Sequence, residues 1–470
     1  MQPKTNHQPV SSEDSEYISM TRIETSRKSS FATYLFLFSF ISSILCTSST
    51  YAQSNSDSIL TNPTLPNVVQ YALKRQPAVL QSLLDQEITD FQIKSRLADW
   101  YPQINFNYLY QHNFKVQVAV INGNPTRLGV NNTSAFQFSA SQNIFNRDVL
   151  LASRTKGDVR QQALQLTEDT KIGVVTNVSR AFYDLVTTQE QSKVTIQNIN
   201  RLERTVKDTR AKYEAGVVDK TDYKRATIAL NNSIAQKKAN DEAQKAKQEL
   251  LKSLMGYPTT EQLNVVYDSA VLEAEIAIDT LQPLDYNRRI EYRILMTQRR
   301  LQESNVQYNK WSYFPTLSAN GAYNFNYQSN EFGKLYNQSF PQSFAGLTLS
   351  FPIFQGGKRK WNIKQAQWEL KRVDLDVVNL KNTINAEYSG ALAGYKTALY
   401  NFIATRENVA LAQEVYDVIL LQYNSGIKTY LEVAVAENDL RTAQINYFNA
   451  LFQVLSNRIE VQRARGEIVP

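Results

Sequence analysis

Few residues in this chain could carry covalent or metal chemistry. It has one cysteine, Cys46, and two histidines, His7 and His112. Cys46 and His7 fall inside an expected N-terminal leader, so the mature chain keeps His112 alone. That excludes a disulfide framework and a Cys/His zinc site. A serine nucleophile would depend on His112, and no motif sets a serine beside it. No motif points to an all-carboxylate site either, so no catalytic residue, metal site or cofactor is expected. The feature with a fixed spacing is instead a stretch that occurs twice. Residues 211–230 read AKYEAGVVDKTDYKRATIAL and residues 421–440 read LQYNSGIKTYLEVAVAENDL. Tyr213, Gly216 and Leu230 return 210 residues later as Tyr423, Gly426 and Leu440.

Each copy closes one long helix at a glycine suited to a left-handed helix end and starts another running back. The two copies are therefore read as helical hairpin tips at the same end of a long bundle. From 149 to 213 there is no proline, and Val178, Phe182, Leu185, Ile199, Val206 and Tyr213 hold related heptad positions. Tyr388, Leu392, Tyr395, Val409, Tyr416 and Tyr423 repeat the series. Heptads sustained this far predict coiled-coil-like helices. The segment 149–213 spans about 97 Å as helix, and its return is shared between 219–255, about 56 Å, and 284–311, about 42 Å. In the second unit 428–465 is the lower return, and 65–99, broken near Gln76-Pro77, supplies the upper one. The segment 257–283 packs outside as a collar.

Between helices the period changes to two. Ile104, Phe106, Tyr108 and Tyr110 alternate with polar neighbours, as do Phe136 and Phe138, then Leu317 to Tyr327, then Leu347, Leu349, Phe351 and Ile353. Strands are expected at about 103–112, 135–145, 316–327 and 344–354, the last two joined by a loop through Gly333 and Pro341. An apolar-out, polar-in pattern of this length marks an outer-membrane barrel. Strands, junctions and tips all recur at about 210 residues, the mark of a duplicated unit. Four strands cannot close a barrel, and open edges are not tolerated in lipid. Three copies give twelve strands and room for a channel, whereas two leave a plugged lumen.

The chain has 470 residues, formal net charge +7 and 20% charged residues. Its Lys and Arg are interspersed with Asp and Glu, a mixed solvated surface rather than a nucleic-acid footprint. Residues 31–45 form an apolar run preceded by Arg22, Arg27 and Lys28 and followed by Thr50-Tyr51-Ala52, a secretory signal peptide over 1–52 cut after Ala52. Met20 is an alternative start. The mature chain divides into a first repeat, 53–283, with long helices about 149–256 and an equatorial segment 257–283, and a second repeat, 284–470, with long helices about 358–465. Gly356-Gly357-Lys358-Arg359-Lys360 reads as a strand-to-helix junction with a basic collar.

ALKRQPAVL near the front, YP and FP before strands, FPIFQGG after the fourth strand and the two Y-x-x-G tips together resemble the TolC-like outer-membrane efflux proteins, from about residue 65 to 467. The resemblance implies a mostly α protomer forming a homotrimer, with a twelve-stranded β-barrel in outer-membrane lipid continued by a periplasmic helical tunnel. It implies a duct in the outer membrane of a Gram-negative bacterium with no cofactor. Such a duct conducts passively what an inner-membrane pump of RND, ABC or MFS type hands over through a periplasmic adaptor. A type I protein-secretion duct and a non-conducting coiled-coil envelope protein are the alternatives. By resemblance, a latch at the tips falls on Asp222, Tyr423 and Lys428, with Lys428 pairing Asp222 and the Tyr423 hydroxyl adding a bond. Lysine replaces the more usual arginine, which removes bidentate geometry. Glu432 takes the position of an acidic pore constriction, while Val435 occupies that of a second ring. Gly216, Val217, Gly426 and Ile427 form the bare tips that meet the adaptor.

Overall fold

The structure, a computed structural model, describes residues 60–470. The leader, the Met20 start and Cys46 lie outside the described residues. The chain begins with α1, Leu65–Arg75, and α2, Pro77–Ala98. Gln76 separates them in extended backbone, as the restriction before proline requires. Four strands follow: β1, Gln103–His112; a small hairpin of β2, Val118–Ile121, and β3, Asn124–Arg127; and β4, Asn132–Phe145. Next come α3, Arg147–Glu214, α4, Lys220–Met255, and the short α5, Ser269–Ala274. The second unit has α6, Ile290–Lys310, β5, Thr316–Ser329, β6, Ser339–Ser350, α7, Lys358–Asn424, and α8, Tyr430–Arg465.

The main sheet is antiparallel in the order β1-β4-β5-β6, so the two units meet at β4 and β5. The register brings Phe106 opposite Phe138 and Tyr108 opposite Phe136, then Phe136 opposite Phe325 and Phe138 opposite Tyr323. These rings share one face, with Phe106 and Phe138 4.9 Å apart and Phe136 and Tyr327 5.9 Å apart. The other face carries Asn107 bonded to Gln137 and Asn320 bonded to Thr348. Phe106, Leu347 and Leu349 stay exposed. The outer edges of β1 and β6 have no partner strand among the described residues.

The fourth strand is displaced from its expected limits, 344–354. β6 starts at Ser339, so Pro341 lies in the strand opposite Phe325 rather than in a loop; proline is tolerated on an edge strand. It stops at Ser350, and the Arg359 guanidinium donates to the carbonyls of Pro352 and Ile353, holding that segment outside the sheet. Phe351 and Ile353 therefore extend no strand.

α3 and α7, 68 and 67 residues long, are the continuous struts, about 100 Å each. α4 returns along α3, and α8 along α7 and α3. α6 lies between the upper struts, where Arg293 grips Glu168 of α3 with two bonds and Arg299 reaches Asp374 of α7 at 2.7 Å. α2, expected to complete the second unit, packs on α3 of the first. Its Leu84, Ile88 and Phe91 are exposed. Val178, Phe182 and Leu185 of the heptad series are buried with Tyr395, Phe402, Leu451 and Leu455 in one core. Leu263, Leu272 and Ile276 of the 257–283 segment enter that core. The segment is thus a packed belt at the waist, tied by the Tyr395 hydroxyl donating to the Ile276 carbonyl at 2.9 Å.

Candidate functional site

The two tips have the same backbone. α3 ends in a residue pair in which Gly216, at φ +76°, donates to the Tyr213 carbonyl and Val217 donates to the Lys212 carbonyl. Gly426, at φ +77°, donates to Tyr423, and Ile427 to Gln422. Both are Schellman closures, which satisfy the last carbonyls of the helix. Val217 and Ile427 are each 72% exposed, so the aliphatic side chain that commonly packs back on such a helix end points instead into solvent.

The starts of the return arms differ. Asp219 caps α4 by accepting from the Thr221 amide at 2.8 Å and its hydroxyl at 3.0 Å, which holds the carboxyl below its usual range. Asp222 lies in the first turn of α4 with no ion pair or side-chain hydrogen bond among the described residues. In α8 the matching cap is reversed. Glu432 reaches back to the Thr429 amide at 2.9 Å and accepts from Lys428 Nζ at 2.6 Å. Lys428 and then the Thr429 amide lower the Glu432 pKa.

The three residues of the expected latch are therefore not joined within one chain. Lys428 is held by Glu432, four residues on, rather than by Asp222. Tyr423 lies under Lys212 of α3, whose ammonium is 4.3 Å from the ring centroid, and against Tyr430 at 6.3 Å. The hydroxyls of Tyr423 and Tyr430 are buried without a hydrogen-bond partner among the described residues. Burial raises the Tyr430 pKa, and the charges of Glu437 and Asp222 add to that rise. Asp222 is thus near enough to the second hairpin for its charge to act on Tyr430, while Lys428 is paired with Glu432.

A small core of Ala226, Tyr416, Tyr430, Val433, Ala436 and Leu440 joins the hairpins behind the tips. Beside it Glu437, 4% exposed, accepts from Arg201 Nε of α3 at 3.3 Å. Sequence reasoning gave no role to Arg201, Glu437 or Lys212. The signal for Glu437 was present: it falls between Val433 and Leu440 on the apolar face of a heptad, where an unpaired charge is not stable.

Among the described residues no cluster of His, Cys, Asp and Glu is arranged to hold a metal ion, and no helix is long and apolar enough to cross a membrane.

Comparison with known proteins agrees with this architecture. The chain is 21% identical over 425 residues to outer membrane protein TolC of Escherichia coli strain K12, covering 86% of this chain and 82% of that one. It is 22% identical over 433 residues to a probable efflux pump outer membrane protein, TtgC, of Pseudomonas putida, covering 86% and 83%. Its fold matches a crystal structure of CusC, described as forming a transmembrane channel, with a TM-score of 0.70 at 15% identity over 88% of this chain and 95% of that one. The family model described as outer membrane efflux protein matches residues 68–257 and 295–467, and the chain belongs to that family of outer-membrane proteins.

Proposed function

We propose that three copies of this chain form the outer-membrane duct of a tripartite export system. The observation that carries this is the four-stranded sheet, with a ring-lined exposed face and two edges that no strand among the described residues pairs. In hydrocarbon each unpaired amide or carbonyl costs several kcal/mol. Pairing β6 of one copy with β1 of the next removes every edge at twelve strands. The exposed stripe Leu84, Ile88 and Phe91 on α2 then meets the exposed Trp361, Trp368 and Leu375 on α7 of a neighbour. In that arrangement α2 supplies the upper return of the second repeat, 284–470, of the neighbouring copy, and 53–283 and 284–470 are the duplicated units.

Substrates pass through passively, delivered by an inner-membrane pump through a periplasmic adaptor that docks at Gly216, Val217, Gly426 and Ile427. The open, apolar character of Val217 and Ile427 supports a protein partner there. At the closed tips Lys428 exchanges Glu432 for Asp222, and the Tyr423 hydroxyl finds its missing partner; Glu432 lines the narrowest point. The test is native mass and planar-bilayer conductance of the detergent-extracted protein. A heat-resistant trimer with low conductance, opened by Asp222→Ala or Lys428→Ala, is expected. A stable monomer overturns the duct, and unchanged conductance in both variants overturns the latch alone.

A further inference from the structure

Two turns above the second tip, a polar cluster interrupts an apolar seam. Glu437 shares the buried face of α8 with Val433, Ala436 and Leu440. Arg201 of α3 donates to Glu437 through Nε and to Asn198 Oδ1 through Nη2, both at 3.3 Å. Asn198 donates in turn to Ser233 Oγ of α4 at 3.0 Å. The series Glu437–Arg201–Asn198–Ser233 thus joins the second hairpin to both arms of the first. A cavity of about 150 Å³ borders it, lined by Asn198, Ser233, Tyr430, Glu437 and Arg441. Tyr430 is 1% exposed, and its hydroxyl is buried with no hydrogen-bond partner among the described residues. A polar space of that size admits several waters, which gives Glu437 a route for protons.

We infer that Glu437 is a positioning residue of the tunnel gate: with Arg201, Asn198 and Ser233 it clasps the two hairpins above the tips, and its protonation sets how tightly they close. This rests on the reading of the chain as a duct gated at its tips.

The sign follows from burial. Desolvation raises the Glu437 pKa, opposed by Arg201 and Arg441. The groups facing it are Arg201 of α3, Tyr416 of α7, and Tyr430 and Arg441 of α8, with uncharged Asn232 and Ser233 from α4. When the hairpins part, the carboxyl is hydrated and returns toward the ordinary glutamate value, about 4.3. A group that holds its proton more tightly in the closed form favours closure when protonated. That contribution is complete below the ordinary glutamate value and is lost as pH rises through the raised one. Acid tightens the clasp. Glu437→Gln keeps an oxygen for Arg201 Nε without the charge, and so imitates the protonated form.

The experiment uses the full trimer from about pH 4.5 to about pH 8. Bilayer conductance is read together with the distance between spin labels at exposed Lys207 and Thr442 in a wild-type and a Glu437→Gln background. Wild type is expected to narrow and conduct less in acid, the closing equilibrium of each protomer shifting by about tenfold for each pH unit by which closure raises the Glu437 value. Glu437→Gln should stay narrow at every pH, and Glu437→Asp should keep the response. Wild-type conductance, spacing and pH profile in Glu437→Gln, with Asp222→Ala still opening the pore, overturn the clasp and leave the gated duct standing. Opening in acid overturns it as well. A trimer that conducts in no variant overturns the duct and the clasp together.

Discussion

Each return arm starts near one glycine and ends on another, and the two ends do different work. Gly216 and Gly426 at the tips and Gly256 and Gly466 at the waist all take φ between +67° and +77°. At the tips an added Cβ would meet nothing within 4 Å. At the waist it would lie 2.8 Å from the Arg75 carbonyl oxygen at Gly256 and 2.5 Å from the Arg288 carbonyl oxygen at Gly466. The same residue in the same conformation therefore serves two ends. At the waist it lets a helix end seat against another backbone, and at the tip it turns the chain and leaves bare surface. The waist is where the protomer holds itself together, and the tip is where it is free to meet others.

Alanine at the four positions breaks or sharpens this contrast. Gly466→Ala combines left-handed strain with a collision against main chain, so a loss of about 2–5 kcal/mol is expected. It should appear as a lower thermal midpoint and a poor yield of heat-resistant trimer. Gly256→Ala should follow closely behind. Equal melting of Gly466→Ala and Gly426→Ala would remove the distinction between waist and tip.

The belt at the waist gives the next effect. Tyr395→Phe removes the bond to the Ile276 carbonyl and leaves that acceptor buried, a cost of about 1–2 kcal/mol. Thermal denaturation of the trimer measures it. A neutral result would mean that apolar contact alone fixes the belt. Gly216→Ala and Gly426→Ala keep only the conformational strain, about 1 kcal/mol. Their larger consequence should be weaker cross-linking to a periplasmic adaptor, measured at unchanged trimer yield.

Much of this organisation was legible because it is local. Period-two runs place β1 and β5 closely, and heptads place α3 and α7, since each pattern reports on the face its own element buries. The limits of β6 were not legible: Arg359 draws Pro352 and Ile353 out of the sheet from a helix further along the chain. Nor was the position of α2, whose exposed Leu84 and Phe91 carry the same apolar signal as a buried stripe. Gly466 was overlooked although it stands 210 residues after Gly256, because no Tyr-Pro follows it to mark a break. At the tips, the resemblance supplied Asp222, Tyr423 and Lys428, but not the partners they have within one chain. Helix-start geometry gives Lys428 to Glu432, and only folding sets Lys212 over Tyr423.

The smallest effect on stability, and the sharpest on wiring, belongs to that Lys428–Glu432 pair. Both side chains are more than a third exposed, so solvent screens the pair and its loss should not shift the melting midpoint measurably. Its pH dependence still has a definite sign. Lys428, and then the Thr429 amide, hold the Glu432 pKa below the ordinary value. A carboxyl whose native pKa is lowered contributes above its unfolded value and loses that contribution as pH falls through the lowered one. The second tip should therefore keep its cap in acid that already protonates ordinary glutamates, whereas Lys428→Ala should bring the Glu432 titration back toward them. Carboxyl chemical shifts of Glu432 in wild type and variant, followed through an acid titration, measure this directly. An unmoved midpoint in Lys428→Ala would show that the Thr429 amide alone sets the pKa, leaving Lys428 free to pair with Asp222.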